Sequence, residues 1–235
     1  MAQMQINPSQ IKMVFFDAGG TLFEVAEPVG NTYAMIAQQH GKIVSPELLQ
    51  QNFGIVFKQM LPLAFGSDLT EESLVREEYQ WWFQLVSHVF SDCGEFKNFS
   101  RFFADVYFHY EEPKAWKLFD DVVPTLEKLQ EIRIKTGIIS NFDSRLNALL
   151  EGFGLAKYFD TIHISSRVGS AKPQPEIFNS ALQANKILPS EAVHIGDSLI
   201  EDYQAAINAG LSAWLIERKQ NAPDLSLFLE SFVAG

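Results

Sequence analysis

The chain has 235 residues, 47% of them apolar and 13% aromatic, with a formal net charge of -11. That apolar mass supplies one large unit, or a core plus a smaller one, and excludes intrinsic disorder. The acidic balance argues against nucleic acid or an anionic membrane surface as partner, because both demand clustered Lys and Arg. An anionic small molecule stays open, since a few local cations and a metal can reverse the field inside a pocket.

Taken from the start, MAQMQINPSQ is polar and carries no basic or apolar signal, so no secretory leader is expected. No run approaches the roughly 20 apolar residues of a membrane span, and the expected location is the cytoplasm. Residues 12–16 then read as a short strand buried on both faces. It runs into Asp17-Ala18-Gly19-Gly20-Thr21-Leu22, a costly place for a negative charge unless a cation or a reacting group stands beside it. From about residue 28 to 112 the period is helical: Leu49, Phe53, Val56 and Met60 on one segment, Val75, Tyr79, Trp82, Val86 and Val89 on the next, then Phe102/Phe103, Val106 and Tyr110. Breaks at Pro62–Asp68 and Ser91–Asn98 leave four helices, about 28–40, 46–61, 70–90 and 98–110, a small bundle. Cys93, within the second break, is the single cysteine; with no cation near it in sequence, it reads as a free thiol of a reducing compartment. Trp81, Trp82 and Phe83 have core spacing for this bundle, although they also suit the wall of a pocket.

After Pro113 helices and strands alternate. Helices are expected at 123–129, 146–153, 175–185 and 200–209, and strands at 136–139, 161–164, 192–195 and 213–216. This pattern implies an α/β Rossmann-like core, a parallel sheet flanked by helices, with the first strand belonging to that sheet. The α-helical bundle is therefore an insertion: a cap domain at 25–112, with the core at 1–24 and 113–235. Trp116 is expected at the junction. His163 and His194 alternate within apolar strands and read as core or rim histidines.

Ligands of such a sheet collect beyond the carboxyl ends of its strands. Those ends carry Asp17, Ser140-Asn141, Lys172 and Asp197 in order, with Asp202 close behind. Asp17 and Asp197 at adjacent ends, beside Asp202, cannot all ionise without a positive charge between them. A hard cation with oxygen ligands answers that need, and beside a phosphate it is typically Mg²⁺. Lys172 can balance negative charge at these strand ends, and Ser140 and Asn141 offer groups to hold an anion's oxygens.

The four signatures, with SNFDSRL (140–146), KPQPEIF (172–178) and GDSLIEDYQAAINAG (196–210), resemble the haloacid dehalogenase (HAD) superfamily across essentially the whole chain, least in the cap. They are most similar to a branch with a helical cap between the first and second motifs. The resemblance implies Asp17 as nucleophile, forming an aspartyl-phosphate that water hydrolyses. It implies metal ligation by Asp17, the Gly19 carbonyl and Asp197, with Asp202 completing the acidic set. Gly20 and Thr21 would join Ser140, Asn141 and Lys172 around the phosphate. The expected ligand is a small phosphorylated metabolite chosen by the cap.

One position departs from the pattern. The family's phosphatases place a second Asp, the general acid/base, where this chain has Gly19. Such a group contributes about 10²–10⁴ in rate. Three outcomes follow: a slow phosphatase for good leaving groups, substitution by Glu24 or Asp143, or phosphoryl binding without turnover. The plainer reading of Asp143 is a cap for the helix beginning near Ser144, and that of Glu24 a hinge residue at the cap entry. Arg145 suits either a substrate contact or the surface. A 2-haloacid dehalogenase also lacks the second Asp, but needs no metal and typically lacks the acidic pair present here as Asp197 and Asp202.

Overall fold

The computed structural model describes residues 7–66, 68–218 and 225–233. The first six residues of the stretch read as lacking a secretory signal lie outside them, as does Ser67 in the first bundle break. β1 (Met13–Phe16) leads through a turn to β2 (Phe23–Val25). Four helices follow, α1 (Val29–Gln39), α2 (Pro46–Gln59), α3 (Glu71–Val89) and α4 (Phe99–His109), before the chain returns through β3 (Trp116–Leu118). Alternation then begins with α5 (Val122–Glu131), β4 (Lys135–Ser140), α6 (Arg145–Gly152), β5 (Thr161–Ile164), α7 (Ser165–Val168) and α8 (Pro175–Asn185). β6 (Ala192–Gly196) leads into a π-helical turn at Leu199–Gln204, then α9 (Ala205–Asn208), β7 (Ser212–Leu215) and α10 (Leu225–Val233).

Five strands form one parallel sheet in the order β5-β4-β1-β6-β7. β1 sits at its centre, and Met13, Val14, Phe15 and Phe16 are all fully buried. That is the pattern of a parallel strand covered on both faces. Val14 and Phe16 face a core with Leu126 of α5, Leu149 of α6 and Phe228 of α10. Met13 and Phe15 face the other layer, with Ile177 and Phe178 of α8 and Ala205 of α9.

Three of the four helices, α2, α3 and α4, start at side-chain caps. Ser45 accepts from the Leu48 amide ahead of Pro46, Thr70 from Ser73 and Asn98 from Arg101. The core shared by all four runs from Tyr33 and Leu49 to Phe90, Phe102 and Phe103. The region leaves and rejoins the rest of the chain through β2 and β3, an antiparallel pair in which Val25 faces Trp116. Sequence periodicity misses that pair, because three residues are too few to show a period of two. It also misses α10, which covers one face of the sheet. Among the described residues no helix is long and apolar enough to cross a membrane.

Instead of an unbroken helix at 200–209, the structure has the π-helical turn and short α9. The Tyr203 amide reaches back to the Ser198 carbonyl, one residue beyond the α-helical partner. Within this widened turn the Asp202 carboxylate accepts from the Ser198 amide at 3.0 Å.

Candidate active site

Asp17 follows β1 directly, its amide still bonded to the Ile195 carbonyl of β6 at 2.9 Å. The ladder thus fixes the backbone of the carboxylate. Lys172, in the loop before α8, is 4% exposed and donates to Asp17 Oδ1 at 2.7 Å and to Asp202 Oδ1 at 2.5 Å. His194, fully buried in β6, lies 2.9 Å from the same Asp202 oxygen through Nε2, which donates to the carboxylate. Burial opposes the charge on Asp202, but Lys172 and His194 outweigh it and hold the carboxyl below its ordinary value. For Asp17 burial wins: the carboxyl sits above its ordinary value despite Lys172 and a hydrogen bond from Ser140. Burial also opposes the Lys172 charge, yet Asp17 and Asp202 together raise that ammonium's value.

Asp197 follows β6 and faces open solvent on one side. Its partial withdrawal from water, then Asp17 and Asp202, push it up to about 6. Gly20 makes the approach possible. Its φ is +82°, and a Cβ there would fall 2.6 Å from an Asp197 carboxylate oxygen. Thr21 Oγ1 lies 3.5 Å from both Asp17 and Asp197, at the limit of a hydrogen bond. Carboxylate oxygens of Asp17, Asp197 and Asp202 all lie within 4.8 Å of one another. Three carboxylates against one ammonium leave two negative charges in excess when all are ionised, the balance a divalent cation would neutralise.

Ser140 and Asn141 end β4 on the same side. Asn141 is pinned to the Lys172 backbone in both directions, accepting from its amide at 2.7 Å and donating to its carbonyl at 2.9 Å. These groups floor a cavity of about 840 Å³ that the helical region roofs. Gly19 lines it with a free flank: a Cβ built there meets only a Phe142 ring carbon, at 4.0 Å.

The two acids weighed as substitutes for the missing group are placed differently. Glu24 lies on β2, exposed and lining the cavity, in the strand pair through which the helical region leaves and rejoins the rest of the chain. Asp143 is fully buried. Its oxygens accept from Arg145 Nε at 3.0 Å, from the Arg145 amide at 3.0 Å and from the Trp82 indole at 2.5 Å. That is the helix-start role, doubled by an ion pair, and it leaves Asp143 no freedom to protonate a leaving group. Arg145 is 7% exposed, so the surface reading falls; its guanidinium also packs 4.2 Å from the Tyr107 ring centroid.

Trp81, Trp82 and Phe83 all pack against the bundle's core, as their spacing predicts, and Trp81 and Trp82 also line the cavity, whereas Phe83 lies inside the bundle against Phe99 and Phe103. Trp116 lies at the junction, edge-on to Phe23 at 5.3 Å, with its indole donating to the Tyr110 carbonyl. Sequence reading passed over Glu78, which is fully buried on α3. It accepts from the Ser144 amide and hydroxyl at 3.1 and 2.9 Å and from the Ser166 hydroxyl at 2.6 Å. Its signal was available: Leu74, Glu78 and Trp82 step by four, which puts an acid on an apolar face.

The sequence model of the haloacid dehalogenase-like hydrolase family matches residues 11–210. The haloacid dehalogenase-like hydrolase domain-containing protein 3 of Danio rerio is 32% identical over 213 residues, 89% of this chain and 86% of that protein. The Rhythmically expressed gene 2 protein of Drosophila melanogaster is 29% identical over 230 residues, 91% of this chain and 86% of that protein. In structure, the chain is similar to the HAD-hydrolase YfnB of Bacillus subtilis bound to magnesium. The TM-score is 0.74 at 16% identity, covering 95% of this chain and 99% of that one; at this identity the likeness is one of fold.

Proposed function

The chain belongs to the haloacid dehalogenase-like hydrolase family, and from that premise we propose that it hydrolyses a small phosphomonoester through Asp17 with Mg²⁺ as cofactor. The observation that carries this reading is the convergence of Asp17, Asp197, Asp202 and Lys172 at the strand ends. The donor set fits a hard divalent cation, being all oxygen and two charges in excess. Asp202 already accepts from Lys172, His194 and the Ser198 amide. Asp17, Asp197 and the Gly19 carbonyl are therefore the direct ligands, and Asp202 serves by holding Lys172. When bound, the cation would draw charge from the phosphoryl oxygens.

Asp17 is the nucleophile. Its carboxylate forms the new bond to phosphorus, the leaving oxygen departs with its electron pair, and water then hydrolyses the aspartyl-phosphate. Lys172 opposes the burial that favours the neutral acid at Asp17, and offsets phosphate charge. Ser140, Asn141 and Thr21 hold the phosphoryl oxygens, while the Gly20 amide is given to the Phe23 carbonyl at 2.8 Å and Gly20 serves by its bare flank against Asp197. Residues 25–112 act as a cap domain over a core of 1–24 and 113–235.

Gly19 favours one other reading, a phosphoryl-ligand binder without turnover. Incubation with acetyl phosphate or an aryl phosphate and Mg²⁺, beside an Asp17→Asn control, separates the two. Turnover well above the control is expected; Mg²⁺ binding with no turnover above the control overturns the hydrolase.

A further inference from the structure

The cavity has a polar floor and apolar walls, and its roof is a continuous aromatic surface. From α3 to α2, Trp82 meets Trp81 at 5.0 Å between ring centroids, Trp81 meets Phe57 at 6.1 Å, and Phe57 stacks on Phe53 at 5.5 Å. From there the rings continue into α1 and past α4, with Phe53 to Tyr33 at 6.0 Å and Tyr33 to Tyr110 at 6.3 Å. All six line the cavity. The Trp81 indole is oriented by its hydrogen bond to the Leu61 carbonyl at 2.9 Å. Phe57 is 48% and Leu61 81% exposed, so apolar surface on this wall is left for a ligand to cover. Tyr33 also meets Phe90 at 6.0 Å, so the wall is the cavity-facing edge of the bundle's own aromatic core. At about 840 Å³ the cavity takes a far larger body than a phosphate ion.

A second, independent observation concerns the leaving group. No carboxyl stands at position 19, two residues past the nucleophile, and Asp143 is locked to Arg145. With position 19 bare, an alkoxide must find its proton farther off, from Glu24 on the cavity wall or from solvent, whereas an aryloxide is stable enough to leave without one. Wall and missing acid point to the same chemistry. Building on the phosphoryl reading of the floor, we propose that the substrate is an aryl phosphomonoester whose flat aromatic half lies against the Trp81–Phe57 wall. Asp17 forms the bond to phosphorus, the phosphorus–aryloxygen bond breaks, and the aryloxide leaves with its electron pair and takes a proton from solvent.

The test measures binding and turnover separately. Binding of 1-naphthylmethylphosphonate and of methylphosphonate, neither of which has a cleavable ester, is followed by calorimetry in the presence of Mg²⁺. The aryl compound is expected to bind at least tenfold more tightly, and Trp81→Ala to remove most of that preference. Equal affinities in the unmodified protein overturn the proposal whether or not the variant folds, and a preference surviving in folded Trp81→Ala overturns the assignment to this wall. Turnover of 1-naphthyl phosphate is then compared with that of cyclohexylmethyl phosphate, an alkyl ester of similar reach. Preference for the naphthyl ester supports the proposal, and comparable rates overturn its leaving-group half. Aryl-selective binding with no turnover of either ester, or of acetyl phosphate, supports the aromatic recognition while sinking the phosphatase reading.

Discussion

At the scale of single residues, the site is decided by what stands around Gly19. The free flank at this position makes Gly19→Asp a fair experiment, because the new Cβ meets nothing closer than a Phe142 ring carbon at 4.0 Å. If proton transfer limits the rate, the variant gains up to about 10²–10⁴ on alkyl phosphates and much less on aryl phosphates. Steady-state kcat on matched esters reads this out; equal gains on both would count against a missing acid. Lys172 is the opposite case, a cation that two carboxylates enclose. Lys172→Met should lower kcat by about 10²–10³, as expected when a charged group aimed at the reacting centre is removed. Circular dichroism checks that the fold survives. The sequence made Asp17, Lys172 and Asp197 legible because each follows a strand whose apolar run is visible. It did not reveal that Asp202 is spent on Lys172 and His194, since that depends on a π-helical turn no local pattern announces.

At the scale of elements, α3 is tied to the sheet side by a buried polar joint. Glu78 bonds Ser144 and Ser166, and Trp82 bonds Asp143, itself paired with Arg145. Replacing Arg145 with Met strands a fully buried carboxylate, so unfolding by urea should show a loss of about 3–5 kcal/mol. Adding Asp143→Asn to that variant should recover part of the loss, because the two side chains form one network. Additive effects would mean that the pair is not coupled. The four helices were legible to within a residue or two, their amphipathic period being local. The joint was not, because its partners lie up to 88 residues apart and only topology brings them together.

At the scale of the whole molecule, acid stability carries a mark of the sheet's interior. His163 in β5 is 9% exposed, edge-on to Phe15 of β1, and burial holds it below its ordinary 6.5. Burial makes His163 harder to protonate in the folded chain than in the unfolded one, which takes up its proton below about pH 6.5, so this residue's contribution is lost as the pH falls through that value. His163→Leu removes the effect. The stability of the variant relative to wild type should therefore rise between about pH 7.5 and 5, measured by urea midpoints. A constant difference across that range would show that His163 does not titrate on unfolding.

The placement of β1 also has a consequence in time. The strand at the centre of the sheet is made first, but its neighbours β4 and β6 come only after the four helices. About 120 residues separate β1 from β4, on the order of ten seconds of synthesis at typical rates. Through that interval Met13-Val14-Phe15-Phe16 has neither partner strand to cover it. The helices between, whose contacts are mostly local, can meanwhile fold on their own schedule. The nascent chain thus carries a short apolar strand that lacks its first partner until β4 has been made.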